Sequence, residues 1–502
     1  MADDKTDSTG RDDATTPAEA AKEPATTVTD HLVTTHHTLK VGRRTLRYTA
    51  TSGRVVLRRE VVEDGEFKGH KAEAEVFLTS YTLDTGTGDD AGPDPDRPVT
   101  FCFNGGPGSS SVWLHLGLLG PRRVVMGDAG SLAPPPYGLA DNAETLLTTS
   151  DLVFVDPVST GYSRAVEGGK PGPFHGYTGD IESVGEVIRL WTTRNGRWMS
   201  PKYLAGESYG TTRAASLADH LQSRYGMYLN GIMLISMVLD MGTIRFTEGN
   251  ELPHALFLPT YAAIAHHHGL HGERPLREVL AEAEEYAARD YPWLLSRGAR
   301  LTPSQRSAAV RKLAGLTGLS REYVDRADLR IEHLRFFTEL LRGQGRTVGR
   351  LDGRFSGWDK DRVSELLDRD PSYTAIHGPY SAAFNHYVRE ELGFESDLPY
   401  EILTDKVRPW SYKEFEDRSV SVVSRLSAAM RTNPHLRVHV ACGYHDGATP
   451  YAAAEHTLAH LHIPDELQAN IEVRYYEAGH MMYVHEPSRV QQSKDLATFV
   501  GG

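Results

Sequence analysis

The stretch Tyr203-Leu-Ala-Gly-Glu-Ser-Tyr-Gly210 decides how the rest of the sequence is interpreted. A short apolar run at residues 203–205 is followed by the pattern Gly-x-Ser-x-Gly at residues 206–210. A strand followed at once by a helix fits this pattern, and the helix is predicted to begin just after Ser208. The glycines give the apex residue, Ser208, the room that a strained backbone conformation needs. The stretch therefore predicts a strand that turns sharply into a helix.

Further apolar runs on both sides of this stretch indicate a sheet. They occupy residues 99–103, 152–155, 232–236, 438–442 and 473–476. Helical stretches separate them, and Ile181, Val184, Ile188 and Trp191 recur at helical spacing in one of these stretches. Apolar strands alternating with helices predict an α/β fold with a mostly parallel sheet flanked by helices on both faces. Alternating residues at 45–57 and 74–83 predict antiparallel strands at its beginning.

The order of these signals divides the chain into four predicted regions. Residues 1–27 form an acidic, flexible tail with no branched apolar core former, and residues 28–241 form the first part of the sheet domain. Helical signals replace the apolar strands over residues 242–412, where Thr302-Pro303 predicts a helix start. Residues 413–502 complete the sheet domain. We expect the helical insertion to lie as a cap over the carboxyl ends of the strands.

Composition excludes several classes of protein. The chain has 502 residues, of which 39% are apolar and 24% charged, so it is neither wholly disordered nor fibrous. A net charge of −13 argues against nucleic acid as a partner. The longest apolar run is too short for a membrane span, and neither a leader pattern nor a cysteine-rich framework is present, which favours a cytoplasmic protein. Oligomeric state does not follow from the sequence.

A serine hydroxyl becomes a nucleophile when an imidazole takes its proton and a carboxylate orients that imidazole. Candidates for both follow later apolar runs: Asp446 in Gly-Tyr-His-Asp-Gly-Ala and His480 in Glu-Ala-Gly-His-Met-Met. The order Ser, Asp, His with each residue after a strand is typical of one group of hydrolases. His445 and His485 are the nearest rivals for the base.

The glycine-rich stretch Asn104-Gly-Gly-Pro-Gly-Ser-Ser-Ser111 follows the apolar run at residues 99–103. Such a loop can offer a backbone N–H group to the oxyanion of a tetrahedral intermediate, and the residue after the nucleophile offers a second. Gly106 and Tyr209 are the candidates for this oxyanion hole. A plain Gly-Pro turn and a phosphate loop are the alternatives, although a phosphate loop would carry a Lys-Ser/Thr pair that this stretch lacks. No metal or other cofactor is predicted, because consecutive histidines such as His266-His267-His268 diverge around a helix.

With these residues the sequence resembles the serine carboxypeptidases of the carboxypeptidase Y and cathepsin A type. Segments that match in order are Asn104-Gly-Gly-Pro-Gly-x-Ser-Ser, Asp156-Pro-Val-Ser-Thr-Gly-Tyr-Ser163, Gly206-Glu-Ser-Tyr-Gly210, Gly443-x-x-Asp446 and Gly479-His-Met481. The resemblance spans roughly residues 45–500. It implies an α/β-hydrolase fold and the cleavage of a peptide's C-terminal residue through an acyl-enzyme. It also implies that Ser208 is the nucleophile, Asp446 the orienting carboxylate and His480 the base.

The resemblance further implies that Asn104 and Glu207 bind the C-terminal carboxylate of a peptide substrate, with Glu207 protonated. A carboxylic acid donates a hydrogen bond only while neutral, so acidic conditions would favour binding. The sequence departs from the family in three places: Cys102-Phe103 precedes Asn104 instead of Trp-Leu, Ser109 replaces a half-cystine, and Leu118 replaces a second acid. Losing that acid could cost on the order of 1.5–3 kcal/mol of binding.

The sequence thus predicts a serine carboxypeptidase. An esterase or acyltransferase with the same catalytic residues is the alternative within this chemistry, and a catalytically silent binding protein is the alternative outside it.

Overall fold

The computed structural model describes residues 28–85, 92–127 and 130–502. The predicted tail at residues 1–27 lies outside the described residues, as does part of the predicted loop at residues 86–98. The strands are β1 His31–Val41, β2 Arg44–Glu63, β3 Glu66–Thr85, β4 Gly92–Pro93, β5 Val99–Phe103, β6 Arg122–Val125, β7 Gly138–Asp141, β8 Asp151–Val155, β9 Arg164–Ala165, β10 Lys202–Glu207, β11 Gly231–Ile235, β12 Arg346–Val348, β13 Ser356–Trp358, β14 Arg437–Gly443 and β15 Ile471–Tyr476.

The helices are α1 Val112–Leu114, α2 Tyr177–Arg194, α3 Tyr209–Tyr225, α4 Leu252–His267, α5 Leu276–Arg289, α6 Tyr291–Arg297, α7 Pro303–Thr317, α8 Arg321–Arg326, α9 His333–Glu339, α10 Pro371–Glu390, α11 Val423–Thr432, α12 Tyr451–Ala459, α13 Asp465–Gln468 and α14 Glu486–Gly501. In the part of the chain that the structure describes, every helix is too short or too polar to cross a bilayer.

The central sheet has the strand order β1-β2-β3-β8-β5-β10-β11-β14-β15. The six strands from β8 to β15 run parallel, whereas β1, β2 and β3 add an antiparallel edge. All six parallel strands lie where the apolar runs predicted strands. Their parallel pairing brings the carboxyl ends of β5, β10, β14 and β15 to one edge of the sheet.

Two layers of helices cover the sheet, as predicted. One layer contains α2, α3, α11 and α12, which pack on alternate residues such as Phe101 and Phe103. The other contains α1, α10 and α14, and it packs on the opposite side of the same strands, for example on Cys102. The alternation of buried side chains along β5 follows from the strand period of two. The sheet is buried on both faces, which is why its parallel strands are apolar throughout.

Helices α4 to α9 pack around a third apolar cluster that includes Phe257, Leu313 and Phe336. Thr302 is the N-cap of α7 and forms a capping box with Gln305, which confirms the predicted helix start. The short antiparallel pair β12–β13 was not predicted in this region. Helix α10, which follows it, packs on the sheet rather than in the third cluster. This strand order, with a strand, sharp turn and helix at β10–α3, defines an α/β-hydrolase fold.

Candidate active site

Four loops meet at the carboxyl edge of the sheet. Asn104 follows β5, Ser208 follows β10, Asp446 follows β14 and His480 follows β15. In open α/β sheets this edge is the usual place for ligands. Residues more than 300 positions apart in the sequence therefore share one site because they end neighbouring parallel strands.

Ser208 stands at the apex of the turn between β10 and α3. Its φ of 60° and ψ of −127° lie in a region that non-glycine residues rarely adopt. A Cβ atom at Gly206 would lie 2.1 Å from the carbonyl oxygen of Gly210, and a Cβ at Gly210 would lie 2.8 Å from that of Phe103. Glycine is therefore required at both positions, as the pattern predicts. The turn is fixed in the sheet by the Ser208 amide, which donates to the Ile235 carbonyl over 3.0 Å.

Asp446 and His480 form a hydrogen-bonded pair beneath this edge, with 2.8 Å between His480 Nδ1 and Asp446 Oδ2. The other oxygen of Asp446 accepts from the amides of Ala448 and Thr449, at 2.8 and 2.9 Å. Thr449 Oγ1 also donates to Asp446 Oδ2 at 2.7 Å. The carboxylate is thus held in one orientation, in which it accepts from Nδ1 and leaves Nε2 of His480 for a substrate or for Ser208.

The protonation of His480 is set by two opposing effects. Burial disfavours the imidazolium, but the charge and hydrogen bond of Asp446 outweigh it and raise the pKa of His480 above its ordinary value. The two rival histidines, His445 and His485, have different surroundings. His445 is buried, which lowers its pKa to about 3, and His485 hydrogen-bonds Ser488 at 2.8 Å. Of the three, His480 is the histidine that a carboxylate orients and that lines a cavity with Ser208.

The glycine-rich loop after β5 packs directly against the turn at Ser208. A Cβ at Gly105 would lie 2.4 Å from the amide nitrogen of Tyr209, so only glycine fits. Gly106 has a φ of 102°, which also favours glycine, and it lines a cavity together with Ser208. The two candidate N–H donors, Gly106 and Tyr209, both line one cavity with Ser208.

Two buried acidic residues, Asp180 and Asp156, hold this loop in place, Asp180 through Arg213 and Asp156 directly. Arg213 forms a paired hydrogen bond with Asp180, 2.9 Å on each side, and donates to the Asn104 carbonyl at 2.6 Å. Asp156 accepts from the amide and hydroxyl of Ser111, at 2.8 and 2.7 Å. Asp156 belongs to the segment that resembles the family motif at residues 156–163. Both contacts fix the loop backbone before any ligand arrives.

Asn104 and Glu207 lie side by side next to Ser208. Asn104 Nδ2 donates to Glu207 Oε1 at 2.9 Å, and the hydroxyl of Tyr483 donates to Glu207 Oε2 at 2.6 Å. Burial raises the pKa of Glu207 to about 7, although the neighbouring His480 and both hydrogen bonds act against this shift. In mildly acidic solution Glu207 is therefore a neutral acid that can donate its own proton.

Tyr483, Thr449 and Arg350 belong to the site but were not predicted from the sequence. Tyr483 follows the predicted His480 by three residues, and that proximity is the one signal that could have found it.

Leu118, at the position of the family's second acid, is fully buried among apolar residues. A Cβ at the preceding Gly117 would lie 2.4 Å from the ring of Tyr483. The space around Glu207 is thus filled by a tyrosine rather than by another acid.

Two cavities border Ser208. The Asn104 cavity, of about 240 Å³, is lined by Asn104, Glu207, Ser208, His480 and Arg350 among others. The Trp410 cavity, of about 750 Å³, is lined by Ser208, Tyr209, Arg350, Trp410 and Tyr412 among others. Gly106 contributes to both. A ligand bound at Ser208 can therefore contact either cavity.

A strained serine, a carboxylate-oriented histidine and a glycine loop on this fold support a serine hydrolase. Residues 89–289 match the family model of serine carboxypeptidases, Peptidase_S10, in agreement with the resemblance of the motifs. The match includes Asn104, Glu207 and Ser208 and ends before Asp446 and His480. No curated protein matches the chain significantly.

Solved structures with detectable similarity include two hydrolases. Proline iminopeptidase from Mycobacterium smegmatis is 14% identical, with 88% of this chain and 97% of that chain covered and a TM-score of 0.32. A thermophilic esterase from Thermogutta terrifontis is 13% identical, with 89% and 100% covered and a TM-score of 0.31. The strand order of the central sheet is what defines the fold of this chain.

Proposed function

We propose that this protein is a serine carboxypeptidase, which hydrolyses the last peptide bond of a peptide with a free C-terminus. The observation that carries this proposal is the buried Glu207, hydrogen-bonded by Asn104 and Tyr483 beside Ser208. A neutral acid next to an amide N–H forms a binding site for a carboxylate, because both groups donate hydrogen bonds.

In the proposed reaction, Ser208 Oγ attacks the scissile carbonyl carbon while His480 Nε2 takes its proton. The N–H groups of Gly106 and Tyr209 stabilise the oxyanion that forms. The C–N bond then breaks, and His480 returns the proton to the leaving amine, which departs as the free C-terminal amino acid. Water attacks the acyl-enzyme by the same steps, with His480 again as the base, and releases the shortened peptide and Ser208.

The alternative is an esterase or acyltransferase that uses the same residues. Leu118 favours it, because this chain has one acid where the family has two for the substrate carboxylate. In that case Asn104 and Glu207 would bind another group.

Labelling with a fluorophosphonate probe tests the catalytic serine. We expect the wild type to be labelled and the variant S208A not to be. A folded wild type that stays unlabelled would exclude both hydrolase proposals and leave the silent binding protein.

A comparison of three substrates then separates the two enzymes: a blocked dipeptide with a free carboxyl group, its amide and its methyl ester. A carboxypeptidase should prefer the free acid over the amide. Equal turnover of all three would contradict carboxylate binding by Asn104 and Glu207.

A further inference from the structure

The Trp410 cavity has a strongly asymmetric charge. Three arginines line it, Arg245, Arg350 and Arg408, and none of its described lining residues is acidic. This contrasts with the whole chain, whose net charge is −13. A cationic cavity in an acidic protein indicates a ligand group with negative charge.

Two of these arginines have no ionic partner within the described residues. Arg408 pairs with Asp405 at 2.7 Å. In contrast, no described carboxylate lies within ion-pair distance of the guanidinium groups of Arg245 or Arg350. The guanidinium carbon of Arg245 lies 5.5 Å from the ring centre of Tyr412, which holds its position by a cation–π contact. Both charges therefore remain free for a ligand.

Arg350 is held beside the catalytic residues by the backbone around it. Its amide donates to Asp370 Oδ1 at 3.1 Å, and the next residue, Leu351, accepts from the His480 amide at 2.6 Å. Nearby, Asp352 accepts from the Gly479 amide at 3.1 Å. Arg350 lines both cavities. The backbone that carries this cation is thus fixed next to His480 before a ligand binds.

The two cavities can be assigned to the two sides of the scissile bond, and this step rests on the proposed function. Asn104 and Glu207 bind the C-terminal carboxylate, so the Asn104 cavity holds the leaving amino acid. The residue on the acyl side of the bond is then assigned to the other cavity that Ser208 lines, the Trp410 cavity. We infer that Arg245 and Arg350 select peptides whose penultimate residue is aspartate or glutamate.

The rest of the cavity fits this assignment. Val238, Met241 and Trp410 offer apolar walls for the methylene groups of a glutamate side chain. Free aspartate and glutamate side chains ionise with a pKa of about 4. Burial raises the pKa of Glu207 to about 7, so between these values the substrate side chain is charged while Glu207 is still protonated. Between these two pH values, the arginines can bind the charged side chain while Glu207 binds the C-terminal carboxylate.

The test compares blocked Glu-Leu, Gln-Leu and Lys-Leu dipeptides at pH 5.5 to 6. We expect the wild type to have a kcat/KM for Glu-Leu about fivefold or more above that for Gln-Leu, since partly exposed ion pairs contribute up to about 1 kcal/mol each. Lys-Leu should be the poorest of the three. Each of R245Q and R350Q should reduce the Glu/Gln ratio, and the double variant should bring it near one. R350K, which keeps the charge, should retain most of the ratio.

R431Q is the matched control, because Arg431 is exposed and lines a different cavity, together with His456 and His462. Its Glu/Gln ratio should equal that of the wild type. A wild-type ratio near one, or a ratio that the double variant does not change, would overturn the inference.

The methyl esters of blocked Glu and Gln report on the acyl side alone. If the esters show the arginine-dependent preference and the peptides are not cleaved, the carboxypeptidase proposal fails and the charge selectivity stands. If the peptides are cleaved with no preference for Glu, the selectivity fails and the proposed function stands. A protein that cleaves neither overturns both.

Discussion

Glu207 is the residue whose state decides what the site can bind. Its carboxyl group is buried, accepts hydrogen bonds from Asn104 and Tyr483, and has a pKa raised to about 7. Below that pH it is a donor for a substrate carboxylate; above it, the negative charge repels the same group. Activity, the effect of Tyr483 and stability should therefore all change with pH as Glu207 gains or loses this proton.

The first concerns activity. For wild type, we expect hydrolysis of a free-acid dipeptide to fall as the pH rises through about 7, because Glu207 loses its proton there. E207Q keeps an N–H donor at every pH, so its peptide hydrolysis should lose this alkaline decline. Steady-state kcat and KM between pH 5 and 9 measure the effect, with the methyl ester as a substrate that needs no carboxylate binding. Identical pH profiles for the two proteins would rule out the protonated acid.

The second concerns the tyrosine. The Tyr483 hydrogen bond lowers the pKa of Glu207, so Y483F should raise this pKa and shift the alkaline decline of peptide hydrolysis to higher pH. Stability should fall by about 1 kcal/mol. Y476F is the control, since Tyr476 donates to a different carboxylate, Asp495, at 2.7 Å. A decline that stays in place in Y483F would refute the coupling.

The third concerns stability. The folded protein binds the Glu207 proton more tightly than the unfolded chain, whose ordinary glutamate pKa is 4.5. This contribution is complete below pH 4.5 and is lost as the pH rises through about 7; the total loss is about 3 kcal/mol. E207Q avoids the loss, so its stability relative to wild type should improve by that order between pH 4.5 and 8. Urea unfolding at both pH values measures it; a pH-independent difference would contradict it.

Among individual residues, the sequence predicted the candidate site residues that belong to motifs, and it missed the site residues that do not. Ser208, Asp446 and His480 each follow an apolar strand in a recognisable pattern, and the structure brings their segments to one edge of the sheet. Tyr483 and Arg350 have no local pattern. Each belongs to the site only through contact with residues that are distant in sequence, as Tyr483 does through its hydrogen bond to Glu207.

Among the elements, the turn between β10 and α3 is the most sensitive to substitution. We expect G206A to prevent correct folding of this turn, because the added Cβ would lie 2.1 Å from the Gly210 carbonyl oxygen. We therefore expect G206A to lose labelling by the fluorophosphonate probe and to have a lower melting temperature than the wild type.

G315A is the matched control for that variant. Gly315 lies in α7, and a Cβ added there would meet no described atom within 4 Å, so alanine should leave labelling unchanged and stabilise by up to about 1 kcal/mol. A G206A protein as stable and as fully labelled as G315A would contradict the strained turn.

The elements that sequence patterns predicted are the buried ones. The six parallel strands and the helices with an apolar stripe appear where they were expected. Strand β1 was missed because it lies at the sheet edge and most of its side chains are exposed or half-buried, so it lacks an apolar period. The pair β12–β13 is three residues per strand, too short for any periodicity.

For the whole molecule, the two cysteines give a simple prediction. Cys102 in β5 and Cys442 in β14 are both buried and free, and β10 and β11 lie between their strands. Three strand spacings separate them by about 14 Å, beyond the reach of a disulfide. We expect a thiol reagent to detect no thiol in the native protein and two after denaturation, with a melting temperature that a reductant leaves unchanged. A reductant-sensitive melting temperature would contradict this arrangement.

The order of the loops along the chain has a consequence for biosynthesis. Under the proposed mechanism the ribosome delivers Ser208 long before Asp446 and His480, which arrive with the last two strands of the sheet. During synthesis, the chain therefore contains the nucleophile Ser208 before it contains the general base His480. A polypeptide that ends before residue 446 would therefore lack two of the three residues that this mechanism requires, and hydrolysis by it would begin only when translation is nearly finished.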